Sequence, residues 1–204
     1  MLHTGYPRQG QDVLLLAHDA APGQVFPGSV ARTEPLSLRM VGVTPPLRRG
    51  APVSVLYRLE GMHHKLQCEV AEWVVRGDAV VCEVKVLGQE NLERRRSERL
   101  PAADAPCSLS FVAGLEGGME VGSRDARIVD ISLHGACVTA DLAPTVGCLY
   151  HLTVPMAGEP SIRALTVCTR APEPGLFALE FVDLIGESAG TLRRFLLRLR
   201  QAAA

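Results

Sequence analysis

The chain carries almost no excess of charge: its 21 lysines and arginines face 22 aspartates and glutamates, a formal net charge of −1 over 204 residues. A protein so balanced has no overall electrostatic reason to coat DNA or an anionic membrane. Long apolar runs are also missing, and the longest fall far short of the roughly twenty residues a membrane-spanning helix needs. The N-terminal stretch Met-Leu-His-Thr-Gly-Tyr-Pro-Arg lacks the charged and apolar regions of a secretory signal. The six cysteines, Cys68, Cys82, Cys107, Cys137, Cys148 and Cys168, stand singly in apolar runs, with no Cys-x-x-Cys pair and no histidine at metal spacing. They read as small buried hydrophobes in a reducing compartment, so a soluble cytoplasmic protein without a metal is expected. No nucleophile stands at recognisable spacing from a base, and no phosphate-binding glycine loop is present, so nothing in the chain points to an enzyme.

What is present is a large apolar share, 47%, broken up by 19 glycines and 14 prolines. That mixture suits a turn-rich β protein, and the length allows two small domains, each with its own core. The first half divides into strand-sized pieces at Asp12–His18, Gln24–Arg32, Leu36–Val43, Val53–Leu59, Leu66–Val75 and Ala79–Leu87. Leu36 to Met40 and Val53 to Arg58 alternate apolar and polar as half-buried strands do. Six such pieces predict a small barrel or sandwich. Trp73 falls in an apolar strand and is expected in the core. His63 and His64 are expected at a turn; adjacent strand positions point to opposite faces, which makes them a poor metal site.

Gly88 to Glu93 is polar and without apolar periodicity, which marks it as a domain junction. The expected domains are therefore residues 1–90 and 91–204. In the second, strands are expected near Cys107–Val112, Glu120–Ile131, Ala136–Ala140, Leu149–Val154, Ile162–Cys168 and Leu176–Phe181. A helix follows from Ser188 to Arg200, with Leu192, Phe195, Leu196 and Leu199 on one face and Arg193, Arg194, Arg198 and Arg200 elsewhere. Gly186-Glu187-Ser188 supplies a cap for its start. The apolar face would close one end of a barrel; a basic helix of this kind also suits a partner or a membrane surface. The predicted fold class is mainly β: two small antiparallel β-barrel domains, the second with a C-terminal α-helix.

The densest local charge sits at the junction, where Arg94, Arg95, Arg96 and Arg99 occupy four of six positions. Guanidinium forks grip phosphate in bidentate fashion and read the O6/N7 edge of guanine. Alone, such a cluster reads as a solvated linker. Some thirty residues later the chain reads Asp130-Ile131-Ser132-Leu133-His134-Gly135-Ala136. Alone, its Asp130 and Ser132 read as the cap of a turn after a strand, and His134 as an exposed loop residue.

Together the two stretches, Arg-x-x-x-Arg at Arg95 and Arg99 and Asp-x-Ser-x-x-Gly at Asp130, Ser132 and Gly135, resemble the signature of the PilZ domain, a family of bacterial receptors for cyclic di-GMP. The resemblance covers a little over half the chain, from about Leu92 onward. A β-rich domain in front of it is similar to the layout of flagellar-brake-type members, in which binding regulates motility. The resemblance implies a non-enzymatic nucleotide-binding protein in second-messenger signalling, with no cofactor besides the ligand. Arg95 and Arg99 would serve the phosphates and the guanine acceptor edge, and Arg94 would suit a stacked pair of ligands. Asp130 would accept from the guanine donor edge or orient an arginine, and Ser132 would add a hydroxyl. Gly135 would permit a tight turn or a close approach of ligand. The family's late Gly-x-x-Phe pattern is replaced by Ala178-Leu179-Glu180-Phe181, whose added methyl could crowd the ligand.

The implied output is a change of domain orientation or of partner binding, with a flagellar motor or other effector component as the first partner to test. A ligand-free interaction module of the same fold is the alternative. A nucleic-acid-binding regulator is a weaker one, since the chain shows no recognition helix or aromatic stacking platform.

Overall fold

The computed structural model describes residues 5–19, 23–92, 97–114, 123–141 and 145–202. The chain divides into two compact units, Met1–Leu92 and Glu93–Ala204. The first contains β1 (Asp12–Ala17), β2 (Val25–Thr33), β3 (Leu36–Val41), β4 (Pro52–Leu59), β5 (Met62–Arg76) and β6 (Ala79–Asn91). They close into a barrel in the order β1-β2-β3-β6-β5-β4. Period-two alternation sends Val13, Leu15, Leu38, Met40, Val53, Val55 and Tyr57 into its core.

Two expectations are corrected in this unit. His63 and His64 lie within β5 and are buried, because the turn is made two residues earlier by Glu60 and Gly61, both at positive φ. This is a two-residue hairpin turn, where glycine relieves the steric cost of the left-handed backbone. His64 stacks on Tyr57 with ring centroids 5.3 Å apart. Trp73 is 40% exposed, not core. The β4 pairing with β5 ends at Glu69, so the rest of β5, Trp73 included, has a ladder only to β6. Gly88 to Asn91 is strand: Gln89 pairs with Leu66 and Asn91 with His64, so β6 runs into the polar stretch read as a junction, and the boundary between the two units falls in its remainder, after Leu92.

The second unit contains β7 (Leu100–Gly114), β8 (Ser123–Ile131), β9 (Gly135–Ala140), β10 (Cys148–Val154), β11 (Ile162–Glu173), β12 (Leu176–Leu184) and α1 (Ser188–Ala202). Its strands close in the order β10-β11-β12-β9-β8-β7. Mainly β architecture with two closed six-stranded antiparallel barrels and one C-terminal helix is thus observed. Leu192 and Leu196 of α1 join the core of the second barrel, with Phe195 and Leu199 packed against it. Ser188 does not act as a simple cap. Its hydroxyl donates to Ile185 O at 2.6 Å and accepts from Arg163 N at 2.8 Å, tying the helix start to β11. No helix among the described residues is long and apolar enough to cross a membrane.

Candidate ligand-binding site

The outer wall of the second barrel is built by alternation. Leu100, Ile131, Ala136 and Leu179 point into the core, so their neighbours Arg99, Asp130, Gly135 and Glu180 face outward. Register brings these outward residues together. Asp130 lies opposite Pro101 on β7 and Cys137 on β9, while Gly135 lies opposite Glu180 on β12. Arg99 is two residues before Pro101, on the same side of an extended chain, and therefore reaches Asp130 diagonally.

The result is a guanidinium held by two carboxylates. Arg99 Nη1 donates to Asp130 Oδ1 at 2.9 Å, and Nη2 donates to Glu180 Oε1 at 3.2 Å. Less than a third of each side chain is exposed, 17% for Arg99, 32% for Asp130 and 12% for Glu180, so solvent and salt screen the cluster weakly. Charge-assisted hydrogen bonds of this kind fix geometry as well as contributing energy. Orienting an arginine is one of the two roles foreseen for Asp130. Cys137 lies beside the pair and, unlike the other five cysteines, is only half-buried. Burial pushes its thiol pKa up, Asp130 adds to the effect, and Arg99 and Arg170 oppose it; it is not an activated thiolate.

Ser132 is buried at 3% exposure, with its hydroxyl committed to the loop. It donates to Gly135 O at 3.2 Å and accepts from His134 N at 3.2 Å, while Ser132 N donates to the same carbonyl at 2.8 Å. The hydroxyl thus shapes the loop rather than standing free for a ligand. Gly135 is not among the glycines at positive φ, so the loop does not need it for backbone conformation. Its small size serves strand packing instead: a Cβ there would meet the backbone oxygen of Leu179 and come within 2.9 Å of Glu180 Oε2. The space over Gly135 belongs to β12.

Arg94 and Arg95, and with them Arg96, lie outside the described residues. Glu98 pairs with Arg200 of α1 at 3.0 Å. Ala178 is buried opposite Cys137, with its carbonyl accepting from Thr169 Oγ1. Two residues of the site escaped the sequence reading. Glu180 was visible only as a charge inside an apolar strand run, a pattern that signals a buried partner. His134, half-buried rather than exposed, places Nδ1 3.0 Å from Ser97 Oγ. Among the described residues no His, Cys, Asp and Glu group could hold a metal.

A family model described as "PilZ domain" matches residues 93–198. Among solved structures, the chain is similar to the Bacillus subtilis inhibitor of motility MotI/DgrA, with 16% identity over 96% of this chain and 98% of that one and a TM-score of 0.40. It is also similar to Escherichia coli YcgR in complex with c-di-GMP, with 13% identity over 95% and 85% of the chains and a TM-score of 0.42. Borreliella burgdorferi PlzA in complex with c-di-GMP gives 9% identity over 92% and 87% and a TM-score of 0.38. No curated protein matches the chain.

Proposed function

The chain belongs to the PilZ domain family, and from that premise we propose that it is a non-enzymatic receptor for cyclic di-GMP of the flagellar-brake type. The observation that carries the proposal is the meeting of Arg99, Asp130 and the Ser132–Gly135 loop on one wall of the second barrel. The last arginine of the first motif is thereby joined to the first residue of the second. A planar fork oriented by a carboxylate is the group that bidentate phosphate or guanine recognition calls for. Asp130 retains acceptor capacity for a guanine N–H.

In this reading Arg94 and Arg95 supply further guanidinium groups, Arg94 toward a stacked second ligand, and no cofactor is required. Ser132 and Gly135 contribute by shaping the loop and its packing. The arginine motif begins where the first unit ends in sequence, so a ligand held there would act on the segment joining the units. Its binding energy would favour one arrangement or one protein partner, such as a motility component, over another. The receptor works in the cytoplasm, where its thiols stay reduced.

Isothermal titration with cyclic di-GMP, with GTP and cyclic AMP as controls, tests the reading. Selective binding that Arg95→Ala and Arg99→Ala each abolish is expected, and the titration also gives the stoichiometry. Full affinity in both variants, or no binding by folded wild type, would favour a ligand-free interaction module. One feature favours that second reading: the Arg99 guanidinium already has carboxylate partners.

A further inference from the structure

Resting on the receptor reading, we infer that Glu180 is a built-in competitor of the ligand for Arg99, and that it sets the affinity of the site. Nothing in the two sequence motifs assigns this residue a role. It reaches Arg99 from β12, on the far side of the guanidinium from Asp130: Nη1 holds Asp130 Oδ1 at 2.9 Å, and Nη2 holds Glu180 Oε1 at 3.2 Å. A bidentate grip on a phosphate uses at least one of these terminal nitrogens. A phosphate bound there would stand within roughly 4–6 Å of the Glu180 carboxylate, the range in which like charges strongly disfavour one another.

The two carboxylates are not equivalent. Asp130 belongs to the motif, is 32% exposed, and can turn to accept from a guanine. Glu180 is 12% exposed, so its charge is the less screened of the two. Its second oxygen lies over Gly135, where a Cβ would come within 2.9 Å of it. The carboxylate therefore fills the space that the missing side chain leaves open. Ligand entry at Arg99 requires the Glu180 arm to yield, and the cost of displacing it is subtracted from the binding energy.

Cyclic di-GMP titration of wild type, Glu180→Gln and Glu180→Ala tests this role. Gln keeps the size and an acceptor for Arg99 while removing the charge; Ala removes both, on an outward position where shortening leaves the barrel core intact. Thermal melts identify which variants are folded. Affinity about tenfold tighter in the folded variants is expected, the difference between a charge-assisted and a neutral hydrogen bond. Binding by a variant where wild type shows none would support the role equally. Unchanged or weaker affinity, with wild type binding, overturns it and makes Glu180 a residue that steadies Arg99 for the ligand. No binding by any of the three removes the receptor reading and this one together.

Discussion

Ser97 Oγ and His134 Nδ1 stand 3.0 Å apart, a hydrogen bond across 37 positions of chain. Ser97 lies two residues before Arg99, and His134 sits in the loop that Ser132 closes, so the contact fastens the arginine segment to the second motif. The His134 backbone also accepts from Phe181 N at 2.7 Å, which keeps the loop beside β12. His134→Ala should therefore weaken cyclic di-GMP binding by about fivefold, the equivalent of one hydrogen bond of about 1 kcal/mol. Ser97→Ala should do the same, and the double variant should be no worse than either. Additive losses in a titration series would show that the pair does not act as a unit.

Gly135→Ala should destabilise the second unit by about 1–3 kcal/mol, the usual cost of forcing a methyl into a packed site. The clash is with the Leu179 backbone oxygen, which cannot swing aside as a side chain would. Urea unfolding of the variant is the measurement. Wild-type stability combined with loss of ligand binding would mean that the glycine serves ligand approach rather than strand packing.

Which parts of this architecture were legible depends on the distance over which their causes act. Leu36 to Met40 reads directly as a strand because its inward and outward faces alternate within the segment. Leu192 and Leu196 likewise announce the buried face of α1. Gly88 to Asn91 did not, because its pairing with His64–Gln67 is a backbone ladder and its side chains largely remain at the surface. The turn lies at Glu60-Gly61 rather than at His63, and the glycine is its local signal in the sequence. Glu180 required knowledge of a partner 81 positions away. Hydropathy shows that such a charge needs an explanation, and only the closed barrel supplies it.

Trp73→Ser distinguishes the two accounts of the sole tryptophan. A core tryptophan truncated in this way would cost about 3–5 kcal/mol. At 40% exposure on the part of β5 paired only to β6, the cost should be about 1 kcal/mol or less. Emission of the wild-type tryptophan should be red-shifted and readily quenched by iodide. A blue-shifted, unquenchable signal would return Trp73 to a buried setting.

The buried thiols make stability fall with alkali. Burial pushes Cys68, Cys82 and Cys107 up from an ordinary value near 9 to about 12. The unfolded chain then ionises first. Below pH 9 both states hold their thiol protons and the contribution of these groups is fully present. Above it the unfolded state binds fewer protons than the folded one, so unfolding becomes easier with each step of pH until about 12. Each thiol should cost up to about 1.4 kcal/mol per pH unit in that window. Denaturation midpoints should therefore be flat from pH 7 to 8.5 and drop by pH 10. Cys107→Ala should lessen the alkaline slope without changing its onset, because Cys107 owes its raised pKa to burial alone. An alkaline slope identical in the variant would assign the loss to other groups, Tyr57 first, since burial raises its phenol as well.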